Sequence, residues 1–219
     1  MVNAGTFVEP VIQQVHVPAG VAGPVELSFD VRCFLVGLPD GLVLIDAGPA
    51  GSAGEIGAAL ERVGAHWSDV TDVVLTHSHP DHVGGLGEVA ARTPGARIWA
   101  GAPDCPHIAS PVPLQPLSDD DRVRDLRVIP TPGHTKGHIS LLHEGEGLLF
   151  VGDAVGTLSG SMMRAPAQFT ADAAEAERSL RRLSELAPAR MLFSHGPEVT
   201  DPVAELRRLL NGNGGAGGN

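Results

Sequence analysis

The stretch Thr76-His77-Ser78-His79-Pro80-Asp81-His82 sets three imidazoles and a carboxylate directly after the apolar run Val73-Val74-Leu75. A short apolar run that breaks into polar residues reads as a buried strand ending at a loop. His77 and His79 are two residues apart, so in extended chain their side chains leave on the same side. Pro80 stops a helix from running through that pair. Asp81 and His82 fall on the following turn and aim at a second point. Imidazole nitrogen and carboxylate oxygen are the donors that borderline divalent cations such as zinc take. The fold must therefore let one buried strand deliver two sets of donors, and other segments must complete them.

The chain has 219 residues, 42% of them hydrophobic, with a mean hydropathy of +0.07, which suits one globular domain, expected over 1–210. Eighteen prolines and 28 glycines imply many turns and hence many short strands. A net charge of −11 without any Lys/Arg block opposes a phosphate-tracking surface, so no nucleic-acid partner is expected. No apolar run approaches the roughly 20 residues that cross a bilayer, and residues 1–5 lack the basic and apolar regions of a leader. A cytoplasmic chain without membrane contact is the expectation. Cys33 lies on the apolar phase of Leu27-x-Phe29-x-Val31-x-Cys33-x-Leu35 and reads as a core thiol, with no disulfide to Cys105.

Alternation predicts strands over 8–17 and 27–37, the latter joined to 41–46 by a Leu38-Pro39-Asp40-Gly41 turn. A helix follows, with Ser52 as cap, Glu55 as its capping-box partner, and Ile56, Leu60 and Val63 facing inward before Gly64. After the strand 73–76 and its histidine loop, Gly84 and Gly85 open a helix whose backbone can approach the site. A strand is expected at 97–100, loop over 103–121, and strands at 122–130, 138–143 and 147–152. A helix over 173–187 takes Asp172 as cap and Glu175 as partner, with Ala176, Leu180, Leu183 and Ala187 inward. Residues 190–194 read as a buried strand. The last helix starts at Asp201-Pro202 and stops by Gly212, leaving 211–219 as a Gly/Asn-rich disordered tail. Strands first and a helix later, in each half, fits two sheets covered by helices.

Three more signals stand at the ends of apolar runs: Thr131-Pro132-Gly133-His134-Thr135-Lys136-Gly137-His138, Gly152-Asp153-Ala154, and Ser194-His195-Gly196. Loops at strand ends, held by rigid strands, are where catalytic groups sit. Each signal alone is weak, since a solitary histidine after a strand is most often a surface residue. With the first loop they supply five imidazoles and two carboxylates, enough for two metal sites.

The order H-x-H-x-D-H, glycine-flanked histidine, G-D-A, S-H-G resembles the metallo-β-lactamase superfamily of binuclear hydrolases, over roughly residues 8–210. The resemblance implies an α/β fold of the α+β type, a four-layer αβ/βα sandwich with metals at one sheet edge. It implies two divalent ions, zinc foremost, with iron or manganese also compatible. His77, His79 and His134 would hold one ion and Asp81, His82 and His195 the other, with Asp153 bridging them. Asp46 and His138 would stand behind the ligands. The implied activity is cleavage of a small ester, thioester or lactone by a metal-bridging hydroxide, with Asp81 as catalytic proton acceptor.

Departures from the family pattern bear on the substrate. Asp153 stands where the β-lactamases themselves carry a cysteine or serine, which makes β-lactam hydrolysis an alternative rather than the first reading. Glyoxalase II enzymes add a helical C-terminal domain, and persulfide dioxygenases carry a G-R-T-D run where Gly156-Thr157-Leu158 stands here. The runner-up reading, a mononuclear non-heme iron persulfide dioxygenase, would use His77, His79 and Asp153 or His134 around one iron with open positions. Acyl-homoserine lactonases use an active-site tyrosine, and this chain has none. The loop 155–169 is the expected substrate wall, with Met162, Met163 and Phe169 as its apolar part and Arg164 as a carboxylate clamp.

Overall fold

The computed structural model describes residues 5–21 and 23–212; the expected tail lies outside them from residue 213 onward. Strands β1 (Phe7–Val17), β2 (Leu27–Leu38) and β3 (Gly41–Ile45) form an antiparallel meander, in register from Phe7↔Gly37 to Val17↔Leu27 and from Phe34↔Ile45 to Leu38↔Gly41. Gly41, at φ +140°, takes a backbone conformation that side-chain-bearing residues avoid, and so closes the tight turn. Helix α1 (Ala53–Arg62) then crosses to β4 (Val70–Leu75), and α2 (Pro80–Val83) with α3 (Leu86–Arg92) crosses to β5 (Arg97–Gly101). With β6 (Gln115–Leu117), the order of the first sheet is β1-β2-β3-β4-β5-β6, parallel from β3 onward.

The second sheet begins with β7 (Arg122–Val123), β8 (Leu126–Pro130), β9 (Ile139–His143) and β10 (Leu148–Phe150). A small hairpin, β11 (Gly156–Leu158) with β12 (Ser161–Met163), follows, then α4 (Ala173–Ser184), β13 (Arg190–Leu192) and α5 (Pro202–Asn211). Its order is β13-β10-β9-β8-β7, with β13 parallel to β10.

Side-chain alternation explains the layering. Leu35, Leu42, Leu44, Val73 and Leu75 point out of the first sheet onto Ile56, Leu60, Leu86 and Val89 of its helices. Their neighbours Phe34, Val36, Val43, Ile45 and Val74 point the other way, onto Val128, Leu141, Phe150 and Leu192 of the second sheet. The far face of that sheet, through Ile129, Leu142, Leu149 and Met191, packs on Leu180, Leu183 and Leu206 of α4 and α5. Three apolar cores separate four layers, helix–sheet–sheet–helix. Strands buried on both faces need continuous apolar runs, which is why Leu42–Ile45 and Val73–Leu75 show no polar alternation.

Several expectations need correction. Ser52 does not cap α1: its backbone is already helical, and its hydroxyl turns to Gln13 Oε1 and the Pro49 carbonyl. The expected strand 122–130 is a hairpin, turned at Arg124 (φ +55°), whose guanidinium reaches the buried Asp72 at 2.8 Å. The expected loop 103–121 contains β6, which pairs with the edge of β5 and buries Leu117 between the sheets. The helix expected over 173–187 ends at Ser184, and Ala187 (φ +45°) lies beyond it, whereas Asp172 caps it as expected by accepting from the Glu175 amide at 2.9 Å. Gly84 and Gly85 approach the 47–50 backbone, where an added Cβ would lie 2.7 Å from the Ala50 nitrogen and 2.3 Å from the Ala47 oxygen. Both cysteines are free, and Cys33 is fully buried in the first core. Among the described residues no helix is long and apolar enough to cross a membrane.

Candidate metal centre

Five strands bring their following residues to one edge of the sandwich: β3 (Asp46), β4 (76–82), β8 (131–134), β10 (Asp153) and β13 (His195). Backbone bonds lace the sheets together there: Ile139 N to Thr76 O at 2.9 Å and Arg32 N to Ser194 O at 2.9 Å. The seven side chains singled out in the sequence converge at this edge. His77, His79 and His134 form one group with ligand atoms within 4.8 Å of one another, and Asp81, His82 and His195 form a second. Asp153 lies between them: Oδ2 is 3.4 Å from His134 Nε2 and 3.1 Å from His195 Nε2, and Oδ1 is 3.3 Å from His82 Nε2.

What stands behind these groups decides which nitrogen faces inward. Asp46 is buried, accepts from the Thr76 amide at 2.7 Å and hydroxyl at 2.9 Å, and holds His82 Nδ1 at 2.8 Å. The Thr76 hydroxyl, donating to Asp46, accepts from His77 Nδ1 at 3.1 Å. One carboxylate thus orients an imidazole of each group and leaves both Nε2 atoms aimed at the centre. His195 Nδ1 donates to the Asp30 carbonyl at 2.6 Å, so its Nε2 also faces inward. His138 accepts the Asp153 amide on Nε2 at 2.9 Å and donates from Nδ1 to Thr131 Oγ1 at 2.8 Å, which places it behind the bridging carboxylate. Gly152 (φ +55°) must lack a side chain, because a Cβ would lie 2.6 Å from His138 Nε2.

Asp104 escaped the sequence analysis. It is buried; Oδ2 accepts from the Ser78 amide at 2.8 Å and the Thr135 hydroxyl at 2.7 Å, and Oδ1 from the Gly137 amide at 2.7 Å. It ties the two loops that carry His77, His79 and His134. The available signal was its place: an acid after the third strand to end on the same edge.

The expected substrate wall is only partly there. Met162 is buried in the core under α4 and α5. Arg164 pairs with Glu177 through Nε at 2.9 Å and with the Leu209 carbonyl at 3.1 Å, so it does not point at the site. Met163 is exposed, away from the cavity beside the histidines. Phe169 does line that cavity, which has a volume of about 360 Å³ and is also walled by Ser78, His79, His134 and Thr170.

The residues fit metal ions on a direct test. His77 Nε2, His82 Nε2, His134 Nε2 and Asp153 Oδ1 are buried without a hydrogen-bond partner, all within the two groups or between them. Buried polar atoms left unpaired cost about 1–3 kcal/mol each, so such clustering implies a cation as common partner. The electrostatics of the polypeptide alone differ between groups. Burial, reinforced by neighbouring imidazoles, holds His77 well below the usual histidine value, lowers His79, and takes His134 to about 4. At His82 and His195 burial opposes charge, but Asp153, with Asp46 or Asp81, outweighs it: His82 rises well above the usual value and His195 to about 10. Asp153 goes well below the usual carboxylate range despite burial, because His82 and His195 face it.

A proton therefore already sits where the second cation would. Groups with raised values hold their protons at pH 7 and must lose them to ligate; groups with lowered values are already neutral. Zinc titration calorimetry at pH 7 in buffers of differing ionisation enthalpy is expected to show about no proton release for the first ion and about one or two for the second. Second-ion affinity should climb with pH until His195 passes its value of about 10. Equal release from both steps would contradict this asymmetry.

Two facing sheets between helices, with candidate donor groups flanking one carboxylate at a sheet edge, define an αβ/βα sandwich with a candidate metal site. The model of the metallo-beta-lactamase superfamily matches residues 29–195, which contains all seven of the converging side chains. The chain belongs to the metallo-β-lactamase superfamily. It is 30% identical over 212 residues to the "Uncharacterized protein YobT" of Bacillus subtilis, covering 83% of this chain and 90% of that one. It is 40% identical over 146 residues to a hydroxyacylglutathione hydrolase of Cereibacter sphaeroides, covering 65% of this chain but 53% of that protein. It thus spans about half the length of that relative. Among solved structures, TTHA1623 in a di-iron-bound form superposes with a TM-score of 0.68 at 25% identity, covering 91% of this chain and 98% of that one. The mono-zinc form of FIM-1 from Pseudomonas aeruginosa gives 0.72 at 20% identity, covering 93% and 90%, a likeness of fold.

Proposed function

We propose that the chain is a binuclear metallohydrolase that adds water to a small carbonyl substrate, an ester, thioester or lactone. The observation that carries this reading is the set of inward, unpaired Nε2 and carboxylate atoms divided into two groups around Asp153. His77, His79 and His134 would hold one ion and Asp81, His82 and His195 the other, with Asp153 shared. Bound there, two divalent ions supply Lewis acidity and make water a competent nucleophile near neutral pH. Zinc suits the imidazole-rich set, and iron or manganese is compatible with it. Asp81 stays ionised, since its contacts with His195 and His82 outweigh burial, and it is the more exposed of the two acids in the groups. It is placed to accept the proton of the attacking water. Asp46 and His138 keep the imidazoles and Asp153 oriented through the reaction.

Similarity to hydroxyacylglutathione hydrolases supports a thioester among these substrates. Asp153 remains the argument against a β-lactam, and a mononuclear iron centre would use only part of the converging donor set. The test is elemental analysis of the purified chain with an ester, thioester, lactone and β-lactam panel and an oxygen electrode. About two ions per chain and turnover of a carbonyl substrate without oxygen uptake is the expected result. His79→Ala, at the half-open side of the first group, is expected to lower metal content and abolish turnover while the far-ultraviolet circular dichroism stays unchanged. Full turnover in that variant would refute the assignment.

A further inference from the structure

Of the 15 cationic residues in this chain, 14 are arginines and one is a lysine, Lys136. Among the described residues, twelve of the arginines are held in ion pairs with carboxylates. Arg92 lies over the Trp67 ring and Arg207 is on α5, neither of them on the cavity beside the histidines. Lys136 is exposed, forms no ion pair among the described residues, and lines that cavity together with His79 and His134.

Its backbone is held tightly. The flanking Thr135 hydroxyl and Gly137 amide both donate to Asp104 at 2.7 Å, and Gly133 N donates to Thr135 O at 2.9 Å. Asp104 accepts these two donors and the Ser78 amide and forms no ion pair with the lysine among the described residues. His107, also exposed, lines the same cavity, as do Gln168 and Phe169. On a chain of net charge −11, an unpaired ammonium at the mouth of the reactive cavity is a local exception to the field.

We propose that Lys136 determines specificity: its ammonium binds a carboxylate that the substrate carries at the end remote from the bond to be cleaved. This rests on the hydrolase reading above and narrows it to acidic acyl or thiol components. One ammonium matches one negative charge. A single lysine also binds phosphate as a point charge, so inorganic phosphate is one arm of the test.

Paired substrates test it: the 4-nitrophenyl monoester of glutaric acid against 4-nitrophenyl valerate, with the corresponding thioesters. Lys136→Ala is expected to raise KM for the glutarate ester about tenfold with kcat within about twofold, to leave the valerate ester unaffected, and to be rescued by Lys136→Arg. Equal effects on both esters would overturn the proposal. A second readout is independent of turnover. Because the chain has one lysine, reductive methylation with 13C-formaldehyde, which keeps the charge, gives a single side-chain dimethylamine resonance. Glutarate is expected to shift it saturably in the zinc-loaded and in the chelated protein, and glutaramide to leave it in place. A resonance that ignores glutarate, or that answers only to inorganic phosphate, rules out the carboxylate assignment. Should no ester or thioester be cleaved, the hydrolase reading fails, while this titration still decides whether Lys136 binds carboxylate.

Discussion

Replacing Asp153 by alanine is expected to reduce turnover on the order of a thousandfold, about 4 kcal/mol of transition-state stabilisation, and to cut bound metal from two ions per chain to one or fewer. Asp153 is the one carboxylate whose oxygens face imidazoles of both groups, at 3.1 Å from His195, 3.3 Å from His82 and 3.4 Å from His134. No neighbouring acid replaces it: Asp46 is committed to Thr76 and His82, and Asp81 lies on the second group alone. The same substitution has a pH signature in the chelated protein. His195, raised to about 10, stabilises the fold fully below its unfolded value near 6.5 and loses that contribution as pH rises through 10. Asp153, lowered, contributes above the unfolded carboxylate value and loses its contribution as pH falls through its folded value. Thermal melts with chelator should therefore show wild-type stability declining between about pH 6.5 and 10, and a much flatter profile for Asp153→Ala. Inductively coupled plasma analysis and steady-state kinetics check the rest; two tightly held ions in the variant would remove Asp153 from the bridge.

Asp46→Ala should cost the most stability of any single change at the site, about 3–5 kcal/mol, with metal affinity down about 10- to 100-fold. Removing the carboxylate strands the Thr76 amide and hydroxyl and His82 Nδ1, all in a fully buried setting. It also frees His77, whose orientation depends on the Thr76 hydroxyl. Alanine is further disfavoured at φ +62°, a left-handed conformation that aspartate and asparagine adopt more readily. Asp46→Asn separates these effects. It keeps the backbone conformation and an acceptor for Thr76, so most stability should return. Its amide turns a donor toward His82 Nδ1, so the wrong imidazole tautomer is favoured and the affinity loss should persist. Denaturant titration and competition with a chromophoric chelator measure the two quantities. An alanine variant within about 1 kcal/mol of wild type would show that Asp46 does not anchor the site.

The polypeptide's order of residues was enough to single out His77, His79, Asp81, His82, His134, Asp153 and His195 as candidates that converge, because the segments carrying them come after strands and strands register in sequence as apolar runs. It also gave the layers, since unbroken runs such as Leu42–Ile45 imply sheets covered on both faces. Tertiary structure alone decided the rest, and the reason is common to every case. Arg164 reads as a clamp until Glu177 and the end of α5 claim it, and Ser52 reads as a cap until Gln13, 39 residues away, takes its hydroxyl. Asp104 looks like an ordinary loop acid until it collects donors from two other loops. The hydrophobic pattern that forms an element is local and periodic, and so is written along the chain. The partner that satisfies a buried polar group comes from whichever segment the fold brings within about 3 Å, and no local pattern encodes that.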